Sequence, residues 1–200
     1  MLVIGLTGGI GTGKSEVARL LKAQGAALVG ADELGHEAYK PQSKGWHQVV
    51  EAFGPEVLTS SGEVDRQTLG KIVFADRAKL EALNRIVHPL IGEAIRDRIG
   101  VLAQKGTAVV VVEAALLLEA GWDVHVDEIW VTVAAEDEAV ARAVSRGRLT
   151  EEEARVRVRS QMAQEDRVER ASVVIDNNGS LEELQGRIAS LWRQRIDQKP

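Results

Sequence analysis

The chain has 200 residues, 44% of them hydrophobic, which suffices for one domain of ordinary size with a packed core and a small insertion. It contains no cysteine, so disulfides, thiolate metal sites and cysteine nucleophiles are excluded. The net charge of −5 argues against a general nucleic-acid binder and requires any anionic ligand to be met by local positive charge.

Residues 2–6 form a short apolar run that ends in glycines, the pattern of a buried strand. Residues 8–15, GGIGTGKS, follow at once and match G-x-x-x-x-G-K-[ST] in full. Residues 15–22 carry Val17, Ala18, Leu20 and Leu21 at helical spacing, so the motif has its required strand and helix on either side. Residues 26–29 are a second apolar run, and Asp32 comes just after it. The stretch 33–106 is too long for a simple crossover and predicts a helical insertion, with helical patterns over 76–86 and 89–104. Residues 107–112 hold four consecutive valines and predict a strand that leads to Glu113. Residues 127–133 and 172–175 predict two more strands, and 137–145, 151–164 and 181–195 predict helices. Strands alternating with helices imply a parallel sheet covered on both faces, because parallel strands need crossovers. The first residues, MLVIGLTGG, show no charged leader, and no apolar stretch has the length of a membrane span. A cytoplasmic protein with no membrane or nucleic-acid partner is expected; nothing in the sequence speaks to oligomeric state.

The motif at residues 8–15 carries the first chemistry. Its glycines let backbone N–H groups turn inward onto phosphate oxygens, and the following helix adds the partial positive charge of its N-terminus. Lys14 is expected to reach the β- and γ-phosphates, and the Ser15 hydroxyl to ligate Mg2+. The motif names ATP or a similar triphosphate, not a reaction. A GTPase needs an N-K-x-D segment, which is missing, and a motor ATPase needs a second motor domain. A small-molecule kinase needs an acceptor carboxylate and an arginine-rich lid, and both have candidates. Asp32, after the second strand, can orient or deprotonate an acceptor hydroxyl; it can equally serve as a helix N-cap. Residues 142–159 hold six arginines against three glutamates, suited to gripping phosphates or to a solvated helix with Glu–Arg pairs.

The ordered set LTGGIGTGKS, Ala31-Asp32, Phe53-Gly54, Asp65-Arg66, Asn84 with His88-Pro89, LLLE at 116–119 and IDNNG at 175–179 resembles the dephospho-coenzyme A kinase family over nearly the whole chain. Residues 31–39 and 113–122 look closest to the kinase domain of animal coenzyme A synthase. The resemblance implies an α/β P-loop kinase, a three-layer sandwich with a parallel sheet, a helical substrate-binding insertion at about 33–106 and a lid at about 142–167, all within one domain. It implies ATP-dependent phosphorylation of the ribose 3′-hydroxyl of dephospho-coenzyme A. Other readings are a kinase for another nucleoside or nucleotide, and a nucleotide-binding switch. By resemblance, Asp32, Lys14 and Arg146 are catalytic. Gly9, Gly11, Thr12, Gly13, Lys14, Ser15, Glu16, Arg142 and Asn177 contact the nucleotide, and Arg66 and His88 lie on the acceptor side with Asp32.

The sequence also departs from the family pattern. Gly30 stands where many members have a first aspartate, and Glu16 stands where a small hydroxyl residue is common. Ala139 replaces a common glutamine. Glu113 replaces a common aspartate and can organise magnesium through water or pair with a cation. His88-Pro89 can also be simply a helix start, since proline suits a first turn, and Asp65 a helix cap.

Overall fold

The computed structural model describes residues 1–145, 147 and 149–197. Its backbone divides into two compact units, Met1–Val29 with Ile99–Pro200, and Gly30–Arg98.

The first unit is built on a five-stranded sheet. Its strands are β1 (Leu2–Gly8), β2 (Ala27–Gly30), β3 (Val109–Glu113), β4 (Glu128–Val133) and β5 (Val173–Asp176), in the order β2-β3-β1-β4-β5. β1 pairs in parallel with β3, Leu2 opposite Val109, and with β4, Leu6 opposite Trp130. β4 in turn pairs in parallel with β5. The apolar runs in the sequence become strands because a parallel sheet has no wet face on which polar residues could alternate. All four valines of β3 are buried.

Helices α1 (Lys14–Ala23) and α9 (Leu181–Trp192) cover one face. Val17, Leu20 and Leu21 of the first and Leu184, Ile188 and Trp192 of the second share a core with Ile4, Leu6, Val111 and Trp130. On the other face, β1 is approached so closely by Leu117 and Val126 that a Cβ on Gly5 would collide with Leu117. Beyond β4 lie α6 (Glu136–Ser145), α7 (Glu151–Ser160) and α8 (Gln164–Glu169). Val140, Ala143 and Ala154 form a small core joining α6 to α7. α7 begins with a capping box, in which Thr150 accepts from the Glu153 N–H and Glu153 accepts from the Thr150 N–H. The helix predicted over 151–164 stops early, at Ser160, because Gln161 is extended.

The second unit is helical, with α2 (Ala31–Ala38), α3 (Lys44–Phe53), α4 (Arg66–Phe74) and the first part of α5 (Arg77–Gln104). Its core gathers Val49, Phe53, Val57, Leu69 and Val73. Two sequence expectations are corrected here. The patterns over 76–86 and 89–104 belong to one helix of 28 residues with Pro89 inside it, so His88-Pro89 is no helix start. Proline there removes one N–H from the helix ladder, which frees the carbonyl of Arg85; both residues are exposed, so water can take that carbonyl. Asp32 is likewise no N-cap, because Gly30 holds that position and Asp32 lies in the first turn. Asp65, by contrast, does cap: its carboxylate accepts from the N–H groups of Gln67 and Thr68. No described helix is long and apolar enough to cross a membrane.

Candidate functional site

Residues 8–15 wrap the turn between the carboxyl end of β1 and the start of α1. Gly13 is the residue before the helix and sits at φ 91°, left-handed, where a side chain would be strained. Gly11, at φ 77°, is also left-handed. Both are crowded as well: a Cβ on Gly11 would run into the Ala139 carbonyl, and one on Gly13 into the Asn177 side-chain amide. The loop therefore needs glycine twice over, for its backbone and for its neighbours.

Four side-chain hydrogen bonds fix this glycine-rich loop. Thr12 Oγ1 donates to the Gly9 carbonyl at 2.8 Å and shares a 2.7 Å hydrogen bond with Thr132 on β4. Asn177, 8% exposed and next after β5, donates Nδ2 to the Thr12 carbonyl at 2.9 Å. Its own carbonyl accepts from Arg142 Nη1 at 2.8 Å, so Arg142 and Asn177 are brought together beside the loop. Gln161 Oε1 accepts the Ile10 N–H at 2.8 Å.

The cationic and hydroxyl groups of the loop meet one carboxylate. Ser15 Oγ donates to Glu113 Oε1 at 2.8 Å, and Lys14 Nζ lies 3.7 Å from the same oxygen. Glu113 thus pairs with a cation at the strand end, one of its two expected roles. Glu16 is held by Arg19, with contacts of 2.6 and 3.0 Å, and the guanidinium keeps its carboxyl below the usual carboxylate range. A cavity of about 200 Å³ lies over the loop, lined by Gly8, Gly9, Gly11, Gly13, Lys14 and Ser15 with Ala115 and Gln161. A glycine-rich turn, one lysine, a hydroxyl and a helix N-terminus around one cavity are the groups that suit a polyphosphate.

The sequence could not show several of these partners. Thr132, Gln161 and Ala139 lie more than 100 residues from the loop in the chain, and no local pattern marks them. Arg167 is 2% exposed and donates to Glu119 at 2.7 Å and to the Met162 carbonyl at 2.6 Å, giving Glu119 a partner that spacing did not suggest.

Asp32, Arg66 and His88 belong to the other unit. Asp32 is exposed in the first turn of α2. Arg66 begins α4 and lines a cavity of about 490 Å³ with His36, Tyr39, Lys40 and Asp65. His88 is half-buried in α5, and burial pushes its imidazole below the ordinary value. Arg146 lies outside the described residues. Of the arginines at 155 and 159, the first meets Asp137 and Glu151 at 2.9 Å and the second meets Glu136 at 2.9 Å, as a solvated charge face does.

The chain is similar to known proteins along nearly its whole length. The family model for dephospho-CoA kinase matches residues 2–183. A curated dephospho-CoA kinase from Geobacter sulfurreducens is 43% identical over 196 residues, 98% of this chain and all of that one. A solved structure from Thermus thermophilus superposes with a TM-score of 0.81 at 32% identity and covers 98% of both chains. The dephospho-CoA kinase structure from Campylobacter jejuni, at 23% identity and 96% coverage of each chain, shares the fold with a TM-score of 0.73.

Proposed function

The chain belongs to the dephospho-CoA kinase family, and from that premise we propose that it phosphorylates the ribose 3′-hydroxyl of dephospho-coenzyme A with ATP, giving coenzyme A and ADP. The observation that carries this reading is the match over residues 2–183, which takes in the phosphate cradle and the whole helical unit.

The acceptor oxygen attacks the γ-phosphorus, the bond from that phosphorus to the bridging oxygen breaks, and ADP leaves with the electron pair. Asp32 orients the hydroxyl and takes its proton. Lys14, drawn off Glu113 by the stronger charge of a triphosphate, spreads the negative charge that develops on the transferring group, together with Arg146 from the lid. The backbone amides of Gly9, Gly11, Thr12 and Gly13 hold the phosphates, and Arg142 with Asn177 borders the nucleoside end. Glu16 keeps its charge on Arg19. Arg66 and His88 contribute to acceptor binding, Arg66 from the wall of its cavity.

Magnesium fits the residues present. The Ser15 hydroxyl and Glu113 carboxylate are hard oxygen donors held 2.8 Å apart, the chemistry that cation selects. Among the described residues no group of three acidic, histidine or cysteine side chains could hold a metal, so Ser15 and Glu113 would need phosphate and water to complete the set. Ser15 would hold the ion directly and Glu113 through water. Bound there, it would supply positive charge to offset that of the polyphosphate.

The test is ADP release by the purified chain with ATP and, in separate arms, dephospho-coenzyme A, AMP, nucleosides or shikimate. Turnover that depends on dephospho-coenzyme A is expected. Turnover only with another acceptor, or slow hydrolysis that no acceptor accelerates, defeats the assignment.

A further inference from the structure

The segment that joins α7 to β5 is tied down at several points. Gln161 leaves the end of α7 in an extended conformation, φ −80° and ψ 168°, which sends its side chain to the Ile10 N–H. Gln164 Oε1 accepts the Ala134 N–H at 3.2 Å, at the end of β4. Buried Arg167 ties the carbonyl of Met162 to Glu119. Among the described residues of 142–167, Gln161 is the one that lines the cradle over residues 8–15, and it also lines a second cavity of about 400 Å³.

The sequence GGIGTG has four glycines in six residues, so the loop has unusual freedom to lose when it closes on phosphate. Thr132 and Asn177 restrain its second half through Thr12. The first half is tied to Thr12 by the Gly9 carbonyl, and Gln161 adds the hold on its Ile10 N–H, from the lid side. Because backbone fixed before binding does not have to be ordered by the ligand, each restraint raises affinity.

We propose that Gln161 is a positioning residue for the transfer: by holding the Ile10 amide it sets the first half of the phosphate loop and couples that loop to the end of α7. This rests on the loop being the ATP site. In Gln161→Leu the acceptor is gone. Amide hydrogen exchange at Ile10 becomes about tenfold faster, the size of one neutral hydrogen bond. ATP affinity falls by a similar factor, and the KM for dephospho-coenzyme A stays unchanged. Gln161→Glu keeps an oxygen acceptor at the same length, so Ile10 stays protected while the added charge weakens ATP binding.

Unchanged exchange at Ile10 in a folded Gln161→Leu protein overturns the proposal. So does faster exchange with undiminished ATP affinity. If Gln161→Leu fails to fold, loss of Ile10 protection in Gln161→Glu overturns it instead. Acceptor-dependent turnover of the unaltered chain is measured alongside. Its absence removes the kinase reading, while exchange and ATP affinity still decide the role of Gln161.

Discussion

Glu113 Oε1 receives both Ser15 and Lys14, one at hydrogen-bond distance and the other at 3.7 Å, so the lysine is the looser partner and the easier to transfer to phosphate. Asp32 differs from these, since Gly30 caps α2 without using any side chain and leaves the exposed carboxylate no capping task. Replacing Asp32 with asparagine should therefore cost little stability and much chemistry. In the steady-state assay, kcat is expected to fall by at least roughly 10²-fold, the scale of general-base catalysis, with ATP affinity near normal. Near-normal turnover would remove Asp32 from the transfer. His88 gives a second test at this scale. Burial favours its neutral form, so any acceptor contact it makes near neutral pH is a hydrogen bond from imidazole, not a cation. As pH drops below the ordinary histidine value of about 6.5, the unfolded chain takes up a proton that the folded chain accepts less readily. Stability is then lost until the depressed folded value is passed. The urea midpoint of His88→Gln should fall less on acidification than that of the unaltered chain. Parallel curves would show that His88 titrates alike in both states.

At the scale of elements, the strand–loop–helix around residues 8–15 was legible because every part of it is contiguous. Buried parallel strands announce themselves as apolar runs, and the glycine spacing states the turn. What remained illegible depends on distant chain. α7 stops at Ser160, inside the stretch expected to be helical to 164, where Gln161 turns toward Ile10. α5 runs through Pro89, where the one freed carbonyl belongs to an exposed residue that water can reach, which local propensity does not report. Glu113 showed two possible roles in sequence, and only the packed sheet edge shows it against Lys14 and Ser15. Two of the left-handed glycines, Gly121 and Gly13, separate local from distant causes by experiment. Gly121 sits at φ 70° with nothing within 4 Å of a Cβ, whereas Gly13 at φ 91° meets Asn177. Alanine at either site carries left-handed strain of roughly 1–2 kcal/mol. Only Gly13→Ala also displaces Asn177, and with it the hydrogen bond to Thr12. Gly121→Ala should lower the melting midpoint and keep nucleotide affinity, while Gly13→Ala should weaken ATP binding more than tenfold in a titration. Equal ATP affinity in the two variants would mean that the crowding at Gly13 has no bearing on the cradle.

For the whole molecule, the phosphate cradle, its restraints and the sheet core all lie in the unit of residues 1–29 and 99–200, so nucleotide binding must appear as stability of that unit. Three of the four tryptophans, Trp122, Trp130 and Trp192, belong to it, and Trp130 is fully buried in the sheet core, opposite Leu6 of β1. With Trp46 changed to phenylalanine, the remaining fluorescence reports that unit. A ligand at 100 times its dissociation constant adds about 2.7 kcal/mol to the state that binds it. In a unit of this size that corresponds to a rise of very roughly 5–10 °C in the melting midpoint. Magnesium-ATP should produce that rise, and Lys14→Ala should lose most of it at the same ATP concentration, because the loop then meets a polyphosphate without its principal charge. The lysine variant alone should melt close to the unaltered chain, since the ion pair it loses is the looser of the two Glu113 contacts. An undiminished ATP shift in Lys14→Ala would place the nucleotide away from residues 8–15, and the assignment of the cradle would fall with it.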